Sequence, residues 1–228
     1  YIFLKTGSYR PRDLALAVKC ASEAKIDLLT VDAAGGGTGM SPWRMMNESG
    51  VPGIELWSLL YQYLGRLAKK GKYVPDVAIG GGFTLEDQLF KGLSLGAPYF
   101  KLIGMARAPL CAAMVGKTIG RKIEESEVPV YVIRFGRTKE EIFVTSPELQ
   151  RKFGDRFDSI PTGAIGLYTY MKRLEQGLKQ LMCGTRKFAL EYITRDDIAS
   201  LTHEGEEVSG IKYIMECDKE KAEKILDD

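Results

Sequence analysis

The chain has 228 residues, of which 45% are hydrophobic, and its formal net charge at pH 7 is only +2. This composition is typical of a globular protein, and the near balance of charge argues against nucleic-acid binding, which needs a concentrated basic face. No apolar run approaches the roughly 20 residues of a membrane-spanning helix. The four cysteines lie far apart without a Cys-x-x-Cys pair, which argues against zinc, redox and disulfide frameworks. A cytoplasmic location is the simplest interpretation.

The first half of the chain alternates short apolar runs with amphipathic segments. Strands are predicted at residues 1–5, 26–31, 77–79 and 100–103, and helices at residues 11–25, 54–70, 85–95 and 109–125. This order predicts an α/β fold with a parallel sheet and right-handed crossovers. Because eight β/α units close a TIM (β/α)8 barrel, about four units predict the C-terminal part of such a barrel.

The pattern changes after residue 125. Residues 128–133 are compatible with a strand, and helices are predicted at 138–143, 146–153, 161–182, 194–203 and 218–226. Gly184 is expected at the C′ position after the longest of these helices. We therefore divide the chain into half a barrel (1–125) and a mainly helical extension packed on it (126–228).

Tyr1 begins the chain inside a strand pattern and without a preceding Met. Half a barrel also leaves open strand edges, which are prone to aggregation. We therefore expect that the first half of the barrel lies upstream of this chain, with a second copy of the chain as the alternative source of the missing strands.

Glycine-containing segments follow all four predicted strands. They are Lys5-Thr6-Gly7, the loop Gly35–Gly39, Gly80–Gly82 and Gly104-Met105-Ala106. Ligands of parallel β/α folds bind in the loops after the strands, and glycine lets backbone N–H groups approach a phosphate without an intervening Cβ atom. The segments predict a ligand that carries a phosphate. A flexible turn is the alternative explanation of the Gly35–Gly39 loop.

Lys5 stands at the carboxyl end of the first predicted strand. A lysine that faces a barrel mouth needs an anionic or electron-rich partner, which makes Lys5 a candidate site residue, although a solvated strand-end charge would explain it as well. Lys101, inside the last predicted strand, is the alternative candidate, but its position within the strand favours a role in the barrel interior or at its bottom face. His203 is the only histidine and is expected at the surface, so no metal site is predicted.

At these residues the chain resembles the FMN-binding domain of glutamate synthase, and more closely the stand-alone members of that family. The likeness covers about residues 1–120. Its most specific element is Gly36–Pro42, which matches the family's Gly-Gly-Thr-Gly-x-Ser-Pro loop. Lys5, Gly80–Gly82 and Gly104–Ala106 are similar to its strand-ending lysine, double glycine and Gly-Thr-Ala turn.

The resemblance implies a barrel that holds FMN over the strand ends. Backbone donors to the phosphate would come from Gly81, Gly82, Gly104 and Ala106, and Lys5 would stabilise the anionic reduced ring as the catalytic residue. The Gly36–Gly39 loop would pass beside the ring. The cofactor-binding residues that the resemblance implies are Lys5, Gly36, Gly37, Thr38, Gly39, Gly80, Gly81, Gly82, Gly104, Met105 and Ala106.

The implied reaction is hydride transfer from reduced FMN to 2-iminoglutarate, which forms from 2-oxoglutarate and ammonia and is reduced to glutamate. A dicarboxylate needs cationic clamps, for which Arg44 and Arg107 are candidates, with Ser41 as a further substrate-binding residue. An electron-donor protein or an NAD(P)H-oxidising subunit is the implied partner, and a homo-oligomer is compatible with the sequence.

Two features depart from the larger enzymes of the family. Those carry three clustered cysteines that bind a [3Fe-4S] cluster, whereas here Cys111 matches the first and the next cysteine is Cys183. Because such clusters need several thiolates close together, no iron–sulfur cluster is expected. The glutaminase domain is also missing from the sequence, so ammonia would come free or from a partner. An FMN barrel with another substrate and a non-catalytic FMN-binding or assembly subunit stay open as alternatives.

Overall fold

The computed structural model describes residues 1–7, 10–34, 36 and 48–227. The first part of the protein alternates strands and helices. The strands are β1 (Phe3–Gly7), β2 (Leu28–Asp32), β3 (Asp76–Gly80) and β4 (Phe100–Gly104). The helices that follow them in turn are α1 (Pro11–Glu23), α2 (Gly53–Lys69), α3 (Glu86–Gly96) and α4 (Arg107–Glu124). The predicted alternation is confirmed, with bounds that differ from the prediction by one or two residues.

The four strands form one parallel sheet in the order β1-β2-β3-β4. Each strand therefore pairs with the next strand along the chain, as consecutive β/α units predict. In the part of the chain that the structure describes, β1 and β4 are the edges of this sheet. The protein is α/β, and closure of the sheet into a (β/α)8 barrel stays a prediction.

The central strands of the sheet are fully buried on one face. Leu29 and Val31 of β2 and Val77 and Ile79 of β3 have no exposed surface. The apolar stripes of α1 and α2 are buried as well, and these two helices pack against each other. Burial of each such side chain contributes roughly 1.5–3 kcal/mol, so this layer fixes the strands and their ends.

The other face of the sheet is more open. Alternate strand residues share a face, and the register places Lys5, Thr30, Ala78 and Leu102 in one row across it. Leu102 is 53% exposed, and Phe3, at the amino end of the same face, is 67% exposed. The open face therefore carries Lys5, the lysine singled out by the sequence.

The second half of the chain is mainly helical, as predicted. Its helices are α5 (Val130–Ile133), α6 (Lys139–Ile142), α7 (Ser146–Phe153), α8 (Thr162–Gly184), α9 (His203–Ser209) and α10 (Lys219–Asp227). Among the described residues, no helix has the length and the apolar character needed to cross a membrane.

The strand prediction for residues 128–133 is wrong, because α5 forms there after Pro129. Val130 and Tyr131 are 87% and 73% exposed, and no strand of the described sheet pairs with this segment. The β propensity of such residues mainly reflects packing on a pleated surface. Without that surface, the segment forms a single helical turn.

The helix predicted at 194–203 is also wrong. Arg195–Asp197 form only a short 3-10 turn, and the α-helix begins at His203. A threonine precedes each segment, and the Thr202 side chain accepts a hydrogen bond from the Gly205 N–H at 3.0 Å. Two separately capped segments therefore form where one helix was predicted.

The predicted end of the longest helix also differs from the structure. Gly184 is the last residue of α8 instead of its C′ residue, and Arg186 takes the left-handed conformation at φ 59°.

The chain divides into two compact units by its contacts. The first contains Tyr1–Phe83, Asp87–Gly104 and Leu181–Asp228, and the second contains Thr84–Glu86 and Met105–Gln180. These units interleave along the chain. The predicted division at residues 125/126, between half a barrel and its helical extension, stays a prediction.

Glycines allow α4 and α8 to pack closely within the second unit. A Cβ atom on Gly116 would lie 3.0 Å from the Cα of Gly166, and a Cβ atom on Gly163 would lie 2.9 Å from the Ala113 carbonyl oxygen. This unit has its own apolar core of Phe143, Leu149, Phe157 and Ile165.

Arg195 connects the C-terminal segment to the helices of the first unit. Its guanidinium donates hydrogen bonds to the Leu95 carbonyl and, at 2.5 Å, to the Ser209 carbonyl. It also lies over the Tyr61 ring, 3.9 Å from the centroid. Burial lowers the pKa of Arg195 from its ordinary value. The guanidinium thus ties α2, the end of α3 and the C-terminal segment together.

We expect Arg195→Ala to lower the free energy of unfolding by about 2–4 kcal/mol, because it removes charged hydrogen bonds and a cation–π contact at once. Arg12→Ala is the control, since the Arg12 side chain is 90% exposed, and such surface changes stay within about 0.5 kcal/mol. Chemical denaturation of the two variants would measure this. Equal stability of both would show that Arg195 does not anchor the segment.

Candidate functional site at the carboxyl edge of the sheet

The last residues of the four strands form one row across the sheet. The register pairs Gly7 with Asp32, Asp32 with Gly80, and Gly80 with Gly104. Among these four residues only Asp32 has a side chain. Ligands of open parallel sheets bind beyond the carboxyl ends of the strands. This row is therefore the base of the candidate site.

Lys5 reaches this row from two residues further back along β1. Its Nζ lies 2.8 Å from Oδ2 of Asp32. The side chain of Asp32 is only 11% exposed, whereas that of Lys5 is 48% exposed. A nearly buried carboxylate needs a compensating partner. The anionic partner that the sequence required for Lys5 thus includes a carboxylate of the protein itself.

Sequence reasoning missed Asp32. The available signal was an acidic residue that directly follows the mainly apolar run Leu28–Val31, at the end of a strand. Only the strand register shows that this carboxylate lies beside Lys5.

Two of the glycines that the resemblance assigned to the cofactor lie against the Asp32 side chain. A Cβ atom on Gly80 would collide with Oδ1 of Asp32, and a Cβ atom on Gly36 would lie 2.9 Å from the Asp32 Cβ. Both glycines therefore leave room for this carboxylate, which is a role that the sequence did not reveal. Their contact with a cofactor stays a prediction.

Gly81 and Gly82 form a turn with positive φ angles of 118° and 92°, a conformation that favours glycine. A Cβ atom on Gly81 would lie 3.0 Å from the Cβ of Ala33, whereas a Cβ atom on Gly82 would have none of the described residues' atoms within 4 Å. Gly81 therefore serves close packing, and Gly82 is exposed. Turns of this type can direct successive N–H groups toward an anion.

Phe83 directly follows this turn and packs against neighbouring helices. Its ring stacks on Trp57 of α2, with centroids 4.7 Å apart and an interplanar angle of 15°. Both side chains are buried, and Gly92 of α3 lies so close to Phe83 that an added Cβ atom would be 2.8 Å from the ring. Sequence reasoning also missed this aromatic pair. The available signal was a large aromatic residue directly after three glycines.

Gly104 ends β4 with space beside it, because a Cβ atom there would make only ordinary contacts, the nearest at 3.6 Å to the Ile79 carbonyl oxygen. Met105, Ala106 and Arg107 follow and belong to the second unit. Arg107 begins α4 and is exposed. Their predicted roles stay predictions.

The remaining predicted residues divide into two groups. Gly37, Thr38, Gly39, Ser41 and Arg44 lie outside the described residues. Lys101 is exposed and falls at an irregularity of the β3–β4 register, where Phe100 and Leu102 are paired with consecutive β3 residues.

No cluster of three His, Cys, Asp or Glu side chains that could hold a metal ion occurs within residues 1–7, 10–34, 36 and 48–227. Cys111 lies exposed on α4. The side chain of His203 is 77% exposed, which confirms the prediction of a surface histidine.

The family model for the conserved region in glutamate synthase matches residues 2–116, just over half of the chain. The chain belongs to this family. The match contains all four strands and the whole strand-end row, and it indicates an oxidoreductase-type enzyme. No significant match to a curated protein was found.

We expect Gly80→Ala to destabilise the protein by about 1–3 kcal/mol, because its methyl group would overpack the Asp32 carboxylate. Gly104→Ala is the matched control in the same row, where the methyl group has room. The cost of Gly80→Ala should shrink in an Asp32→Ala background, as a double-mutant cycle of unfolding free energies would reveal. Additive costs would mean that the two positions do not share this space.

Proposed function

We propose that the protein is an FMN-dependent oxidoreductase of the glutamate synthase type, which reduces 2-iminoglutarate to glutamate. The observation that carries this proposal is the strand-end row of Gly7, Asp32, Gly80 and Gly104, with the Lys5 ammonium at its open face. The row lies within the segment that matches the family. It combines backbone that a phosphate can approach with a cation that a flavin ring can use.

The glycines of β3 and β4 fit the FMN phosphate. Gly80 and Gly104 are paired neighbours, and both Gly82 and Gly104 are exposed. A phosphate bound there would be held by N–H groups of Gly81, Gly82 and Gly104. Backbone amides in such turns bind anions without the help of a basic side chain.

Lys5 is suited to contact the N1 edge of the flavin ring. Its ammonium is half exposed on the open face of the sheet, so a ring above the strand ends can contact it. A cation near the N1 edge favours the negative charge that the ring acquires on two-electron reduction. Lys5 would therefore orient the ring and stabilise its reduced form.

The proposed reaction moves a hydride to C2 of 2-iminoglutarate. When bound, reduced FMN would supply this hydride from its N5–H bond and would be left oxidised, while C2 of the substrate would gain a C–H bond, the C=N π bond would break and the nitrogen would take up a proton. The two carboxylates of the substrate call for cations, and we propose Arg44 and Arg107 for this role, with Ser41 as a further substrate-binding residue.

Renewal of reduced FMN needs a reductant. We propose an electron-donor protein or an NAD(P)H-oxidising subunit, since the sequence has no cysteine between Cys111 and Cys183 with which to build a cluster after the last strand. Free ammonia or a partner would supply the nitrogen.

The proposal predicts that the purified protein binds FMN, with quenching of flavin fluorescence, and that glutamate bleaches the bound flavin under anaerobic conditions. Gly104→Ala should weaken FMN binding at least tenfold, about 1.4 kcal/mol, because its methyl group occupies the space of the phosphate. Gly65→Ala in α2 is the control, since its Cβ atom would meet only the Tyr99 hydroxyl, at 3.8 Å.

Three outcomes separate the alternatives. Bleaching by glutamate supports the proposed reaction. FMN binding without bleaching would contradict glutamate as the substrate and favour an FMN enzyme with another substrate. A protein that binds no FMN would contradict the flavin enzyme altogether.

A further inference from the structure

We propose that Asp32 is a positioning residue, which holds the Lys5 ammonium at the strand ends and partly neutralises it, and thereby lowers the reduction potential of the bound flavin. This inference rests on the proposed function. Asp32 is not among the residues that the family resemblance assigned to the cofactor, and it acts through Lys5.

The first support is the contrast between the two side chains. Lys5 carries its charge on a flexible four-carbon stem and is 48% exposed, so it can move more freely than a nearly buried side chain. The Asp32 carboxylate is 11% exposed and lies 2.8 Å from the ammonium. The less mobile partner therefore determines where the more mobile charge rests.

The second support is the enclosure of the Asp32 side chain by glycines. Gly80 and Gly36 both lie so near that a Cβ atom on either would clash with it, and Gly7 is its paired neighbour in β1. A side chain at position 36 or 80 would displace the carboxylate. The backbone at these two positions therefore leaves room for this group.

The third support is the anchorage of the backbone after Asp32. The Ala33 N–H donates to the Gly80 carbonyl at 2.9 Å, and the Ala34 N–H donates to the Val51 carbonyl at 2.8 Å. The Gly36 N–H then turns back to the Ala33 carbonyl at 2.8 Å. These bonds hold the chain on the side of Asp32 that leads into the glycine loop, so the carboxylate cannot easily follow a moving lysine.

The two charges should act on the flavin in opposite directions. Reduction brings two electrons and a proton to FMN and leaves a negative charge on the ring at neutral pH. Lys5 favours that charge, whereas Asp32 weakens the effect of Lys5. Because Asn has the shape of Asp and its carbonyl oxygen can still accept from the ammonium, Asp32→Asn removes the negative charge and keeps Lys5 in place.

The test measures the reduction potential of FMN bound to the protein, by anaerobic reduction with dithionite, which is oxidised to sulfite, in the presence of a reference dye. Asp32→Asn should shift the ratio of reduced to oxidised flavin at a fixed potential about tenfold toward reduced, roughly 30 mV for a two-electron couple. Lys5→Met should shift it in the opposite direction by a similar factor.

Two further variants serve as controls. Asp32→Glu keeps the charge and should stay nearer to the parent than Asp32→Asn does. Asp76→Asn removes an exposed carboxylate from the same face at the amino end of β3 and should leave the ratio unchanged.

Opposite shifts for Asp32→Asn and Lys5→Met would support the inference. FMN bound by all variants at the parent's potential would overturn it while leaving the proposed function intact. Failure of the parent protein to bind FMN would overturn the proposed function and this inference together.

Discussion

A nearly buried carboxylate at the end of the second strand constrains the residues around it. The Asp32 side chain is only 11% exposed, and the Lys5 ammonium lies 2.8 Å from its carboxylate and compensates its charge. Its bulk in turn explains why Gly36 and Gly80 carry no side chain. One ion pair thus connects the register of β1, β2 and β3 with the glycine loops beyond them.

The same arrangement gives the sheet two chemically different regions at one edge. Lys5 and Asp32 form a charged centre at the ends of β1 and β2, whereas Gly82 and Gly104 are exposed glycines at the ends of β3 and β4. FMN has the matching parts, a redox-active ring and a phosphate. Membership of the glutamate synthase family and the geometry of this edge therefore support the same proposal from independent observations.

Periodicity explains how much of this could be predicted from the sequence. The strands and amphipathic helices of residues 1–124 could be located in the sequence because each buries one continuous face and therefore has a regular apolar pattern. The glycine turns and Lys5 could be predicted as site residues because they stand at the ends of these strands. Asp32 could not be assigned, since a sequence does not show which side chains the strand register brings together. Residues 128–133 and 194–203 were misassigned because local propensity does not reveal a missing strand partner or a second helix cap.

A crystal structure of the protein with FMN would test the central claim most directly. We predict the phosphate against the backbone of Gly82 and Gly104, and the ring in contact with a Lys5 ammonium that is still paired with Asp32. A phosphate bound away from this edge of the sheet, or a Lys5 side chain that leaves Asp32 and does not contact the ring, would contradict it.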